Sequence, residues 1–167
     1  QQEGSIPATI EFDQLSRVQG INMTGPLEEV DVFPALDTIH GGLSINNNHQ
    51  ITDIDGFDNL DSIGGVLYIR GNTNLTSIGG LNTIRRLDDV DIYNNPALAD
   101  ISGLNGLEEC TQVHVYENYN LADISGFNSL NLVNHNFIIE YNHSLEHITG
   151  FTNLSRVVDE FTIFGNY

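Results

Sequence analysis

The sequence contains no lysine and only five arginines against 23 acidic residues, which gives a formal net charge of −18. A surface this negative repels nucleic acid and anionic membranes, so we exclude both as partners. The chain also has only one cysteine, Cys110, which excludes an internal disulfide framework. No stretch approaches the roughly 20 consecutive apolar residues of a membrane-spanning helix, so membrane insertion is excluded as well.

The excess of acidic residues indicates a protein that works outside the cell or in high salt, where ions screen self-repulsion beyond about 8 Å. Solubility alone explains the acidity equally well. The sequence holds no Ser-His-Asp grouping, nucleotide-binding glycine loop or Cys-x-x-Cys pair. It therefore predicts no catalytic residue and no bound cofactor.

A long internal repeat organises the chain. Residues 88–110 read DDVDIYNNPALADISGLNGLEEC, and residues 111–133 follow at once with TQVHVYENYNLADISGFNSLNLV. A fixed period of this length is typical of a solenoid. At 167 residues and 40% apolar content, the chain is long enough for one domain with a continuous core.

Six short β-strand cores recur at steps of 23 or 24 residues. They are Leu43–Ile45, Leu67–Ile69, Val90–Ile92, Val113–Val115, Phe137–Ile139 and Phe161–Ile163. Their apolar residues alternate with period two, so we expect one side of each strand to be buried. Counting a strand near Ile21, seven strands would form a parallel sheet about 29 Å wide at the usual spacing.

The other half of each coil has a different spacing. From Leu98 the apolar residues come every third position, through Ile101, Leu104, Leu107 and Cys110. An α-helix turns every 3.6 residues, so this spacing favours short turns and 3₁₀ segments over a long helix. Cys110 falls on this apolar series and is interpreted as a buried, inert thiol.

One asparagine and one glycine recur in every complete coil. We interpret the asparagines as a buried structural ladder, because a side-chain amide can bond backbone groups that a corner leaves unpaired. The glycines would supply either a positive φ or room for close backbone approach. The ladder comprises Asn48, Asn72, Asn95, Asn118, Asn142 and Asn166, and the glycines are Gly56, Gly80, Gly103, Gly126 and Gly150.

The segments YIRGNTNLTSIGGLNTI (68–84) and DIYNNPALADISGLNGL (91–107) resemble leucine-rich repeats of the receptor L-domain type. The resemblance covers residues 21–167 and implies a right-handed coil with one parallel β-sheet face and little α-helix. It also implies a ligand-binding module outside the cell or on its surface. The cysteine-rich flanks of animal receptors are missing, so the resemblance is to the microbial secreted or surface variety.

We interpret the whole chain as one domain. Residues 1–20 form an N-terminal lead-in or cap, and residues 21–167 form the solenoid. The first unit has a shortened turn at Gly25-Pro26 and lacks the recurring asparagine, as is common for a capping repeat. The chain ends at Tyr167 directly after a strand core, which predicts either association through an uncapped end or a continuing chain.

The outward residues of the middle strands are the candidate binding face. Tyrosine offers a rigid contact area with a polar tip, which suits recognition of a protein or a glycan. The alternative is that cross-strand aromatic pairs only stabilise the sheet. The candidate residues are Tyr68, Arg70, Asp91, Tyr93, His114, Tyr116, Glu117, Glu140 and Tyr141.

Two other functions stay open. The first alternative to ligand binding is a structural repeat segment of a larger surface protein. Acids such as Asp88, Asp89 and Asp91 on neighbouring strands would also suit a polysaccharide-active enzyme, although no pair stands out among 23 acids. We predict no metal site, because the His143 and His147 spacing shares a face only on a helix. His114 beside Asp91 is interpreted as a charge pair.

Overall fold

The computed structural model describes residues 12–167, so the first eleven residues of the predicted lead-in lie outside the described residues. Within residues 12–167, thirteen strands follow one another. They are β1 (Arg17–Val18), β2 (Ile21–Thr24), β3 (Thr38–Ile39), β4 (Leu43–Asn46), β5 (Ser62–Ile63), β6 (Leu67–Arg70), β7 (Asp89–Tyr93), β8 (Glu109–Cys110), β9 (Gln112–Tyr116), β10 (Leu132–Val133), β11 (Phe137–Glu140), β12 (Arg156–Val157) and β13 (Phe161–Phe164).

The longer strands form one seven-stranded parallel sheet in the order β13-β11-β9-β7-β6-β4-β2. Within each central strand the side chains alternate between the core and the surface. In β6, for example, Leu67 and Ile69 are fully buried, while Tyr68 is half-buried and Arg70 is exposed. The predicted solenoid with a parallel sheet is therefore confirmed, and no helix of residues 12–167 is long and apolar enough to span a bilayer.

The short strands form additional parallel β-sheet pairs beside the main sheet, which the sequence analysis did not predict. The two-residue strands form the three-stranded parallel sheets β1-β3-β5 and β12-β10-β8. Isolated bridges from Arg86 to Ser62 and to Glu109 connect the two sheets. Two residues are too few to show an alternation of apolar and polar side chains, so the sequence pattern gave no signal for these strands.

The remaining side of each coil is built from tight turns. Two 3₁₀ segments, Gly79–Leu81 and Ser102–Leu104, confirm the prediction from the three-residue spacing. The recurring glycines allow neighbouring coils to touch: a methyl group on Gly103 would overlap the carbonyl oxygen of Ile78, and one on Gly150 would lie 2.5 Å from that of Ile124. None of these glycines has a positive φ, so close approach is their role and the alternative is wrong.

A left-handed turn ends six of the long strands, one position before each ladder asparagine. Glycine occupies this position twice, at Gly71 and Gly165, with φ of 66°. Elsewhere the residue is an asparagine or a larger side chain, and Glu117 and Tyr141 both have φ of 54°. For residues other than glycine the left-handed conformation costs free energy. We infer that the hydrogen bonds of the following ladder asparagine stabilise the turn.

The six asparagines form a continuous hydrogen-bonded ladder along the solenoid. The Nδ2 group of Asn95 donates to the carbonyl of Ile69 at 3.0 Å, and its backbone N–H donates to Oδ1 of Asn118 at 3.1 Å. The same pattern links successive coils, and the ladder residues from Asn48 to Asn142 are fully buried. The ladder begins at Asn48, whose Oδ1 has no partner, because the register places Pro26, which has no N–H, in the preceding coil.

The two edges of the main sheet differ from its centre. The described part of the lead-in packs onto the first coil, where the Phe12 ring stacks on Phe33 with centroids 5.3 Å apart. At the other edge, Phe161 and Ile163 in β13 are 48% and 40% exposed, although the equivalent positions one strand inward are fully buried. An apolar edge of this kind favours pairing with another strand. Association through this edge stays a prediction.

Candidate functional site

The nine candidate residues lie along the outer side of the four central strands. β6, β7, β9 and β11 present seven of them in register, and Glu117 and Tyr141 follow in the left-handed turns. We call these nine residues the outward face. The parallel register brings equivalent side chains of neighbouring coils next to one another, for example Arg70 beside Tyr93 and Tyr116 beside Glu140.

Two tyrosines stack at the centre of this face. The rings of Tyr93 and Tyr116 lie 4.6 Å apart between centroids with an interplanar angle of 7°. This confirms that they stand side by side, as their equivalent places in the repeat predict. We call the pair the tyrosine platform. Tyr119 does not join it, because it lies in the following turn and contacts the ring of His143.

Neighbouring side chains hold the platform on both sides. The hydroxyl groups of Tyr68 and Tyr93 are 2.7 Å apart and hydrogen-bonded, and their rings meet edge to face. The guanidinium carbon of Arg70 lies 5.2 Å from the centroid of the Tyr93 ring, within cation–π distance. On the other side the His114 ring stacks on Tyr116 at 4.1 Å. These contacts leave the tyrosines little rotameric freedom.

His114 pairs with a different acid from the predicted one. Its Nε2 lies 3.0 Å from Oε1 of Glu140 on β11, and the predicted charge pair with Asp91 on β7 is wrong. The register places Asp91 directly beside His114, whereas Glu140 is the register partner of Tyr116, so the direction of the His114 side chain and not the register selects the acid. The pair with Glu140 places a cationic or donor group and a carboxylate beside the platform.

Asp91 is left without a partner at the edge of the face. Its Oδ1 is inaccessible to solvent and accepts no hydrogen bond. Burial raises the pKa of the Asp91 carboxyl, and Asp89 on the same strand raises it further, while His114 and Arg70 lower it. Burial and the neighbouring Asp88 also raise the pKa of Asp89.

These two acids line a depression of about 370 Å³ near the beginning of the strands. We call it the acidic pocket. Its lining includes Ser44, Val66, Tyr68, Asp89, Asp91 and Gln112. The sequence analysis selected Tyr68 and Asp91 but did not predict the pocket. The pocket forms because Gly42 and Ser44 are smaller than the side chains that lie beside them in the next two coils.

A family model for the receptor L domain matches residues 9–100. The chain belongs to the receptor L domain family. Receptor L domains are non-enzymatic ligand-binding modules found in the extracellular parts of receptors. No curated protein and no solved structure matches the chain.

The match to the receptor L domain ends at Asp100, within the coil that begins with β7. The three coils that follow continue the strand register and the asparagine ladder without interruption. The matched segment therefore does not include the whole outward face. One ring of the tyrosine platform, Tyr116, lies beyond it, and so do the neighbouring residues His114 and Glu140. The face of this receptor L domain protein spans both parts.

The remaining reactive groups to consider in this receptor L domain protein are the potential metal ligands and the single thiol. Within residues 12–167, no three His, Cys, Asp or Glu side chains gather closely enough to hold a metal ion. Cys110 is 2% exposed, and burial raises the pKa of its thiol to about 12. The burial of Cys110 is therefore confirmed, and the raised pKa of its thiol supports the prediction that the group is inert.

Proposed function

We propose that this receptor L domain protein is a non-catalytic ligand-binding or adhesion module of the microbial leucine-rich-repeat variety. It acts at the cell surface or outside the cell and recognises a protein or a glycan through the outward face. The observation that carries the proposal is the tyrosine platform, with Arg70 at one end and Glu140 at the other.

The platform has the physical properties of a recognition surface. Stacked rings that are already fixed by their neighbours lose little conformational entropy when a ligand arrives. Tyrosine presents a large apolar surface together with a hydroxyl group, so it accepts the flat face of a sugar or an apolar protein side chain. Opposite charges at the two ends give the surface a direction and favour one orientation of the ligand.

A binding screen with matched variants tests the proposal. Wild-type protein, the double variant Tyr93→Ala/Tyr116→Ala and the control Tyr119→Ala are applied to glycan arrays and to candidate surface proteins. We expect a ligand that binds wild type and Tyr119→Ala, and at least about tenfold weaker binding by the double variant, since buried aromatic contacts dominate recognition energies.

Other outcomes contradict the proposal. Binding that the double variant retains in full places the ligand elsewhere on the molecule. A structural segment of a larger surface protein would bind no ligand in any of the three forms. Release of reducing sugar from plant or marine polysaccharides would identify an enzyme.

A further inference from the structure

The acidic pocket contains two carboxyl groups, those of Asp89 and Asp91, without an ion-pair partner among the described residues. Asp89 and Asp91 are two positions apart on the same side of β7, which places them about 6.6 Å apart. Among residues 12–167, no arginine or histidine forms an ion pair with either acid. The Oδ1 atom of Asp91 is enclosed and unpartnered. Both carboxyl groups are partly buried, which disfavours their ionised forms, so a cation that entered the pocket between them would lower the free-energy cost of keeping them ionised.

The rest of the lining determines what kind of cation fits. Val66 and the ring of Tyr68 supply apolar surface, and Tyr68 also offers a π face. Lysine and arginine side chains lay their alkyl stems on such a surface while the charged group reaches polar partners. A bare divalent ion needs about six oxygen ligands converging at 2–2.6 Å, and the described residues contain no such cluster. An organic cation on an alkyl stem fits better than a metal ion.

The position of the pocket links it to the tyrosine platform. The hydroxyl of Tyr68 bonds that of Tyr93, so one side chain lines the pocket and also supports the platform. A peptide lying across β6 and β7 would reach both places within two or three residues. The net charge of −18 also attracts a basic partner over long range and accelerates its association.

We propose that the acidic pocket binds the side-chain cation of a lysine or arginine on a basic protein ligand, while a neighbouring apolar group of the ligand rests on the tyrosine platform. This inference rests on the proposed function of the outward face and narrows its ligand from protein or glycan to a basic protein.

A random peptide-display library selected on the immobilised full chain tests the inference. We expect enrichment of peptides that carry lysine or arginine next to an apolar or aromatic residue. Affinity for an enriched peptide should fall at least about tenfold in Asp89→Asn/Asp91→Asn, since a buried charge pair loses that much when one partner is removed. Replacing the enriched lysine of the peptide by norleucine should cost wild type the same factor and the variant much less.

A matched control separates the pocket from the overall charge. Asp58→Asn/Asp61→Asn makes the same change in net charge with two exposed acids outside the outward face, and it should bind as wild type does. Thermal melts of both double variants verify that they fold. Equal loss of affinity in both variants would indicate long-range attraction only and would contradict the proposal that the acidic pocket binds the cation.

The outcomes also separate the pocket from the face. Enriched peptides that depend on Tyr93 and Tyr116 but not on Asp89 and Asp91 would overturn the pocket and leave the proposed function standing. Peptides that bind independently of all four residues, or the absence of any binding peptide, would overturn the present inference. The first of these two results would also remove the outward face as a peptide-binding surface, and the glycan arrays would then test the remaining ligand class.

Discussion

Replacing Asn118 by leucine would interrupt the asparagine ladder at the centre of the solenoid. The Nδ2 group of Asn118 donates to the carbonyl oxygens of Ile92 and Tyr116, both at 3.0 Å. Its Oδ1 accepts from the backbone N–H of Asn95 at 3.1 Å. Leucine has the same branched skeleton of four side-chain heavy atoms with bulkier ends, so Asn118→Leu removes these bonds without opening a cavity.

The bonds that remain determine the size of the effect. The Tyr116 carbonyl keeps a second donor, the N–H of Asn94 at 3.3 Å. The Asn95 N–H is stranded in buried surroundings, and the Ile92 carbonyl loses its amide donor. A buried polar group without a partner costs about 1–3 kcal/mol, so we expect Asn118→Leu to lower the free energy of unfolding by about 2 kcal/mol or more.

Equilibrium urea unfolding followed by circular dichroism measures this loss. With an m-value of about 2–3 kcal/mol/M, a loss of 2 kcal/mol moves the midpoint down by about 0.7–1 M. The matched control is Asn120→Leu, the same substitution at an exposed turn position two residues further, which should stay within about 0.5 kcal/mol of wild type. If Asn118→Leu unfolds at the same urea concentration as Asn120→Leu, the ladder does not stabilise the fold as argued.

Two further predictions concern stability. Gly103→Ala should cost about 1–3 kcal/mol, because the new methyl group would overlap the carbonyl of Ile78. Gly79→Ala, whose methyl group would meet only the Ser77 hydroxyl at 3.4 Å, should be nearly neutral in the same urea titration, and equal effects would contradict the close-approach argument. Burial raises the pKa of Asp91, so its ionised form opposes folding as pH rises through that raised pKa. Asp91→Asn should therefore raise the melting temperature at pH 7 by up to about 3 °C and leave it unchanged near pH 3, where the carboxyl is protonated in both states. A melting temperature that falls at pH 7 would show that the carboxylate is stabilising in the free protein.

The sequence predicts most of the fold because the fold is a repeat. Each strand core has its own period-two alternation, and the next coil shows the same alternation 23 or 24 residues later. The alternation within one strand core is a weak signal by itself. Because it recurs at a fixed spacing, it predicts which residues of neighbouring strands lie side by side throughout the sheet. The short strands such as β3 and β5 lack this advantage, since two residues contain one apolar position and no alternation. They form because stacked coils bring their backbones into pairing distance.

The site is less predictable because it depends on side-chain directions. The register pairs His114 with Asp91 and Ile138, yet its ring stacks on Tyr116 and its Nε2 lies 3.0 Å from Glu140, the register partner of Tyr116. Likewise, Glu117 takes a positive φ although nothing in its chemistry favours one. It does so because the strand must turn at that position for the next residue to enter the ladder. Stacking of Tyr93 on Tyr116, in contrast, follows directly from their equivalent places in two coils.

The uniform coil has a consequence for how such a molecule grows during evolution. The complete coils present the same backbone register, ladder asparagine and glycine contact to their neighbours. A duplicated coil inserted beside its parent would therefore find all of its partners already in place. Tyr93 and Tyr116 occupy the same place in two similar coils, so one duplication is enough to convert a single tyrosine into a stacked pair. The surface can widen by one strand at a time, about 4.8 Å, while the core needs no redesign.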